Sequence, residues 1–298
     1  MRVIYIKATE KPKSFLKRIR YCFDYYFNII RTITIQSDRI YCLPILYNKK
    51  IKKKKIKRLS YKIIKKLEKD ESNIIVLSEY LSNVDYLKIF LCSKGINILD
   101  GRLLFKCLYN KIISYILDIT NERIEDSQIW ITINDYTELN KEIIMDIARK
   151  VKTLNIVTTN INKFRSIEKT LYNEYGILLN ISNSKKTSLV KSRIILNFDF
   201  PEEIINRYVI NRNAIVVNFL NKVQIYSKKF NGININYYNI SMPKEYILEG
   251  FSNQIVYESK ICNFSLDKTI KMFYKDDINI KYLIGNKGKI NEHEYKKQ

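Results

Sequence analysis

At 298 residues and 46% hydrophobic content, the chain can bury a substantial core in one large or two ordinary domains, which excludes a disordered or fibrous protein. Its five Cys, at positions 22, 42, 92, 107 and 262, form no CxxC pair, so they support neither a disulfide framework nor a zinc knuckle, and a reducing cytoplasm is expected. The formal charge of +23 is concentrated in residues 1–70, which hold 21 Lys and Arg against 5 Asp and Glu; the Ile, Lys, Asn and Tyr bias is of the kind AT-rich codons produce, so the total charge does not by itself imply a nucleic-acid partner.

The N-terminus, Met1 to Lys7, lacks the long apolar run of a signal peptide. A Lys/Arg-rich stretch from Lys11 to Arg20 runs into Tyr21, Phe23, Tyr25, Tyr26 and Phe27. Cations beside aromatics suit phosphates and bases, but the preferred expectation is an amphipathic helix, Phe15 to Ile30, with its rings packed into a core. Thr32 to Gln36 and Arg39 to Ile45 read as strands of a hairpin around Ser37-Asp38. Lys49 to Lys69 carries 12 basic residues and one acid, Glu68, with Ile56, Leu59, Ile63, Ile64 and Leu67 at spacings of three and four. That pattern predicts a helix with one apolar stripe. Its cations are suited to an anionic partner, a phosphate backbone or an anionic membrane surface, or to plain solvation over a sheet, the preferred expectation. Asn73 to Ser78 then reads as a buried strand, Val84 to Ser93 as a helix, and Ile96 to Leu99 as a short strand.

Leu103 to Ile119 is apolar over most of its circumference but carries Lys106, Asn110 and Lys111, so it is expected to be a buried connecting helix and not a membrane span. Thr120 to Gln128 reads as a linker. From there a strand followed by a helix-patterned segment repeats. The strands are Ile129 to Asn134, Leu154 to Thr158, Ile177 to Ile181, Arg193 to Phe198 and Ala214 to Phe219, nearly continuous in apolar character as parallel strands covered on both faces are. Further on, Val223 to Tyr226 and Ile233 to Tyr237 read as strands, and Pro243 to Leu248 and Leu266 to Tyr274 as helices. Leu283 to Ile290 resembles a GxxG nucleotide clamp but is better read as a Gly-rich turn, and His293, the only His, excludes a multi-His metal site. The expected fold class is α/β: a five-stranded parallel sheet with helices on both faces, a smaller N-terminal α/β domain and a C-terminal segment packing back on it. The boundaries are 1–102, 103–127 for the connecting helix and linker, 128–221, and 222–298.

The order of these elements, with Thr158-Thr159-Asn160-Ile161-Asn162-Lys163-Phe164 after the second strand and Ser188 to Asn197 leading through the fourth, resembles the Rossmann-type nucleotide-binding domain of shikimate dehydrogenase and glutamyl-tRNA reductase. The resemblance covers about 91 residues. It implies a polar group after strand two that selects the adenosine ribose or its phosphate, and a fourth strand ending near the nicotinamide, where Phe198-Asp199-Phe200-Pro201 stands. The first turn departs from it. A dinucleotide site needs glycines there so that the backbone can approach the pyrophosphate, whereas Asn134-Asp135-Tyr136-Thr137-Glu138-Leu139-Asn140 contains none. One like charge at about 4 Å from a phosphate costs roughly 4 kcal/mol at an effective dielectric near 20, so Asp135 and Glu138 oppose a diphosphate. The first domain also lacks the Lys and Asp pair of the dehydrogenase and the Cys motif of the reductase, and Cys42 reads as a small buried hydrophobe.

Asn134, Asp135, Thr158, Thr159, Asn160, Lys163, Arg165, Asn197 and Asp199 are the candidate binding residues, because open α/β sheets take ligands at the carboxyl ends of their strands. Asp135 and Asp199 as a pair suit Mg²⁺ or a cationic ligand, as in a receiver-like or flavodoxin-like alternative; polar strand ends without a ligand are the equal alternative. Three functions stay open. The first is a binding, regulatory or structural protein related to NAD(P)-dependent dehydrogenases but without their hydride chemistry, holding a small molecule between its halves. The second is an oxidoreductase with an atypical cofactor loop, whose cofactor would be NADP, with Asn160, Lys163 and Arg165 near the 2′-phosphate. The third binds nucleic acid or anionic lipid through the basic N-terminal half.

Overall fold

A computed structural model describes residues 2–35, 38–46 and 51–295. The chain forms two compact α/β units: Met1–Gly101 with Lys244–Asn263, and Arg102–Pro243 with Phe264–Gln298.

In the first unit the chain runs β1 (Val3–Thr9), α1 (Phe15–Phe27), β2 (Arg31–Ile35), β3 (Asp38–Leu46), α2 (Lys53–Lys69), β4 (Ile74–Leu77), α3 (Glu79–Ser82), α4 (Asp85–Cys92) and β5 (Asn97–Ile98). The sheet order is β2-β3-β1-β4-β5, parallel except for the β2/β3 hairpin. Gln36 and Ser37, which fall within the expected hairpin, and Lys49 and Lys50 of the basic run lie outside the described residues. Alternation along β1 sends Ile4, Ile6 and Ala8 to one face and Tyr5 to the other. The first set packs with Ile56, Leu59, Ile63 and Leu67, the apolar stripe of α2, which therefore covers the sheet as expected, while Lys53, Lys54, Lys57, Lys65 and Lys69 stay exposed. Each such buried side chain contributes about 1.5–3 kcal/mol.

The aromatic helix is a correction. In α1 only Asp24 is buried, paired with Arg31, whereas Phe15, Leu16, Ile19, Phe23, Tyr25, Tyr26 and Phe27 are exposed. Hydrophobic periodicity fixes which residues share a face but not which face turns inward, and here polar contacts decide. The ammonium groups of Lys55 and Lys62 on α2 donate to the carbonyls of Tyr25 and Phe27, each at 2.7 Å, and Lys66 donates to that of Ile30 at 3.1 Å.

In the second unit α5 (Arg102–Cys107) and α6 (Tyr109–Thr120) replace the single expected helix. The break is confined to Leu108, and the bonds Leu108 N–H to Leu104 O and Ile112 N–H to Leu108 O bridge it. Then follow β6 (Gln128–Thr132), α7 (Glu138–Ala148), β7 (Thr153–Val157), α8 (Arg165–Tyr175), β8 (Leu179–Ser182), β9 (Ile194–Asn197), α9 (Glu202–Ile205), β10 (Ile215–Asn218) and β11 (Ile233–Ser241). Lys244–Asn263, with α10 (Asn253–Ile261), belongs to the first unit. The Pro243 to Leu248 helix shrinks to a 3₁₀ turn, Lys244–Tyr246. The second unit ends with α11 (Leu266–Lys275), β12 (Asn279–Gly285), β13 (Gly288–Lys289) and α12 (Glu292–Tyr295).

Its sheet has eight strands rather than five, in the order β13-β12-β11-β10-β9-β6-β7-β8. β6 to β11 are all parallel, and β12 and β13 add an antiparallel edge. The strand at Ile233, expected outside the sheet, is its sixth parallel member; the Asn residues that interrupt its apolar positions disguise it. Val223 to Tyr226 forms no strand, because side chains satisfy its backbone. Val223 N–H donates to Asn236 Oδ1, Gln224 N–H to Glu202 Oε2 and Tyr226 N–H to Asn206 Oδ1, at 2.7–2.9 Å. Every residue of β9 and β10 is buried, as strands covered on both faces require.

Candidate functional site

The winding of the second sheet reverses beside β6: β7 and β8 lie on one side, β9 to β11 on the other. The carboxyl ends of β6 and β9 are therefore the topological switch point, where open α/β sheets form ligand crevices. There the turn after β9 brings Asp199 to the turn after β6. Its carboxylate accepts the backbone N–H of Asn134 and of Asp135, each at 2.7 Å, one on each oxygen. Those amides belong to the loop that opens α7. The loop is stapled further: Thr137 Oγ1 caps the helix by accepting from Asn140 N–H, and the buried Asn140 amide donates to Asp135 O at 2.6 Å.

Asn134 joins this turn to the one after β7. Its Oδ1 accepts from Thr159 N–H at 2.9 Å and Thr159 Oγ1 at 2.6 Å, and more weakly from Thr158 Oγ1. The Thr158 hydroxyl in turn accepts Asn160 N–H. Of the expected site residues, Asn134, Asp135, Thr158, Thr159, Asn160 and Asp199 are thus one bonded group. Lys163 and Arg165 stand apart, exposed in the following turn and at the start of α8, with no salt bridge among the described residues.

Asn197 belongs to a second network that closes the sheet's carboxyl edge. Thr132 Oγ1 donates to Asn197 Oδ1 at 2.8 Å; Asn197 Nδ2 donates to Asn218 Oδ1 at 2.9 Å; Asn218 Nδ2 donates to Asn236 Oδ1 at 3.1 Å; and Asn236 Nδ2 reaches Asn286 Oδ1 at 2.6 Å. Buried amides cost stability unless paired, and these pair with one another across four parallel strands. The Arg102 guanidinium donates to the Asn218 and Asn236 carbonyls at 3.2 and 2.8 Å. Asn218, Asn236 and Arg102 escaped the sequence reading, although strands that end in Asn repeatedly, at 197 and 218, are a signal for such a ladder.

Lys106 was also missed as a site residue; its one signal was a cation inside an apolar helix. It is half-buried, with Nζ 4.8 Å from the centre of the Phe198 ring. Burial pulls its amine down to about 8, against the opposing pull of Asp199, Cys107 and Asp135. The Asp199 carboxyl is pushed above the usual carboxylate range by burial and by the Asp135 charge, against the two amide N–H groups and Lys106. An amine near neutrality beside two carboxyls can hold a proton, donate to a carbonyl or hydroxyl oxygen, or act as a base. Among the described residues no group of three or more His, Cys, Asp or Glu side chains could hold a metal ion, and no helix is long and apolar enough to cross a membrane.

The sequence matches no family model and no curated protein. Among solved structures, the chain is similar to L-tryptophan dehydrogenase from Nostoc punctiforme, with 7% identity and a TM-score of 0.35 over 91% of this chain and 77% of that one. It is also similar to a structure described as an aspartate carbamoyltransferase from Trypanosoma cruzi, with 11% identity and a TM-score of 0.28 over 74% of this chain and 71% of that one. Likenesses this low carry no argument about what the chain binds or does. The architecture in hand is mixed α/β with two mostly parallel sheets.

Proposed function

We propose that the second unit is a Rossmann-like domain that works as a small-ligand binding or regulatory module and does not hold a dinucleotide in the conventional pose. The observation that carries this is the Asp199 carboxylate seated on the Asn134 and Asp135 amides. In a dinucleotide site, free backbone N–H groups at this turn point at the pyrophosphate. Here an internal carboxylate has taken them, in a loop without glycine. A diphosphate would have to displace Asp199 and sit beside Asp135, at a repulsion of roughly 4 kcal/mol per charge at about 4 Å. These residues do not fit the cofactor. The charged trio Lys106, Asp135 and Asp199 suits instead a small uncharged or cationic polar ligand that offers a carbonyl or hydroxyl oxygen to Lys106.

The oxidoreductase reading keeps one point in its favour: Lys163 and Arg165, exposed and without a salt bridge among the described residues, follow the second strand, where the resemblance expects a 2′-phosphate selector. One calorimetric titration separates the two. The binding-module reading expects no saturable uptake of NADPH or NADH up to about millimolar concentration. Nanomolar to micromolar NADPH binding, weakened together with NADPH-dependent turnover in Arg165→Ala, would put the oxidoreductase in its place.

A further inference from the structure

We infer that α1 is an interfacial helix that docks the first unit onto an anionic lipid bilayer. At about 100° per residue, Phe15, Leu16, Ile19, Phe23, Tyr26 and Phe27 share one arc of about 120°, and every one of them is exposed. Leu16, Phe15 and Tyr26 are about three-quarters exposed, at 77%, 74% and 80%. The arc points outward because the opposite face, with Asp24 paired to Arg31 and Tyr21 half-buried, is the one held to the unit. An amphipathic helix in a water-soluble fold normally turns its apolar side inward. This one is inverted, and contiguous exposed apolar surface of this kind marks an interaction site.

Charge selects the occupant. Arg18 and Arg20 border the arc on its two sides, and the helix's one acid, Asp24, faces away and is already neutralised by Arg31. Lys11, Lys13, Lys17, Arg20 and Arg31 line a cavity of about 470 Å³ beside the helix, against two acids, Glu10 and the Arg31-paired Asp24, and α2, whose Lys55 and Lys62 hold the end of α1, carries Glu68 as its single acid. An apolar strip edged by cations is the pattern of a helix that lies in a bilayer interface, rings and aliphatics among the acyl chains and cations at anionic headgroups. A second copy of this chain would bring Arg18 and Arg20 against their like. A single-stranded nucleic acid would gain from the rings but meet Leu16 and Ile19 within the strip, and the rings of Phe23 and Phe27 are already packed together at 4.6 Å.

The test is co-sedimentation of the full chain with vesicles of phosphatidylcholine alone or with about 30% phosphatidylglycerol, at about 150 mM salt. Wild type is expected to bind the anionic vesicles and not the neutral ones. Leu16→Ser/Phe23→Ser should lose binding by about tenfold or more, since two exposed apolar side chains no longer leave water. Arg18→Glu/Arg20→Glu should lose it too, and melting curves should show both variants folded. Absent binding to anionic vesicles, equal binding to neutral ones, or binding indifferent to the serine pair would overturn the inference. So would a wild-type dimer that the serine pair makes monomeric, or capture of a single-stranded oligonucleotide through these residues, where vesicles are not bound.

Discussion

Lys106 shows how a single side chain can be tested for function without knowing the ligand. Its amine, brought to about 8 by burial, should react with an acylating reagent along a curve with its midpoint near that pH, well below surface lysines, as read by mass spectrometry of the labelled peptide. Asp199 holds the value up, so Asp199→Asn should shift the midpoint further down; an unmoved or raised midpoint would contradict the geometry. The same shift governs stability. The folded value lies below the ordinary lysine value of 10.5, so between the two the unfolded chain binds the proton that the folded chain releases, and stability rises with pH across that window. Below about 8 both states are charged and the burial penalty is complete. Discounted for partial exposure, it is about 1 kcal/mol, or about 2–4 °C in melting temperature. Lys106→Met is therefore expected to raise the melting temperature by that amount near pH 7, with the gain fading as pH approaches 10.5. The sequence offered only a cation inside an apolar helix, since this residue's surroundings come from Asp135 and Asp199, far along the chain.

Helices α1 and α2 have similar apolar periodicity and opposite fates, and substitutions should tell them apart. Leu59, fully buried in the first unit's core, should cost about 2–5 kcal/mol when changed to Ala, seen as a lowered urea midpoint. Phe23, half exposed on α1, should change stability by no more than about 0.5 kcal/mol; a large loss there would mean that the outward strip supports the fold. The contrast also marks what the sequence could convey about elements. The strands at Ile129, Leu154, Arg193 and Ala214 were legible because buried parallel strands are continuous in apolar residues. The one at Ile233 was legible only in part, for its Asn residues serve a ladder that no local pattern encodes. Val223 misled because its backbone is satisfied by Asn236 rather than by a neighbouring strand. At the switch point, the polar residues after β6, β7 and β9 could be named from position alone, but the bond from Asp199 to the first turn could not, because it depends on strand order.

At the scale of the molecule, the first unit is discontinuous: Lys244–Asn263 returns to it after the second unit has largely been built. That return is structural. Leu248, Phe251 and Val256 pack on Tyr5, Ile40, Ile74 and Val76, the face of the first sheet that α2 does not cover. Tyr5 stacks edge-on against Phe251 at 5.3 Å and its hydroxyl meets Ser259 Oγ at 2.5 Å, while Lys260 bridges Asp38 at 2.8 Å. A fragment of residues 1–101 would leave this apolar face in water, together with the outward strip of α1, and should aggregate or stay partly unfolded. Joining residues 244–263 to it through a flexible Gly/Ser linker covers the face at little entropic cost, because loop closure grows only by about 0.6 kcal/mol per doubling of length. The joined fragment is expected to be soluble at higher concentration and to melt cooperatively by circular dichroism, whereas residues 1–101 alone are not. Cooperative melting of residues 1–101 on their own would show that the sheet can do without α10. Failure of the joined fragment, with residues 1–101 also unfolded, would mean that the first unit needs more of the chain than its own residues.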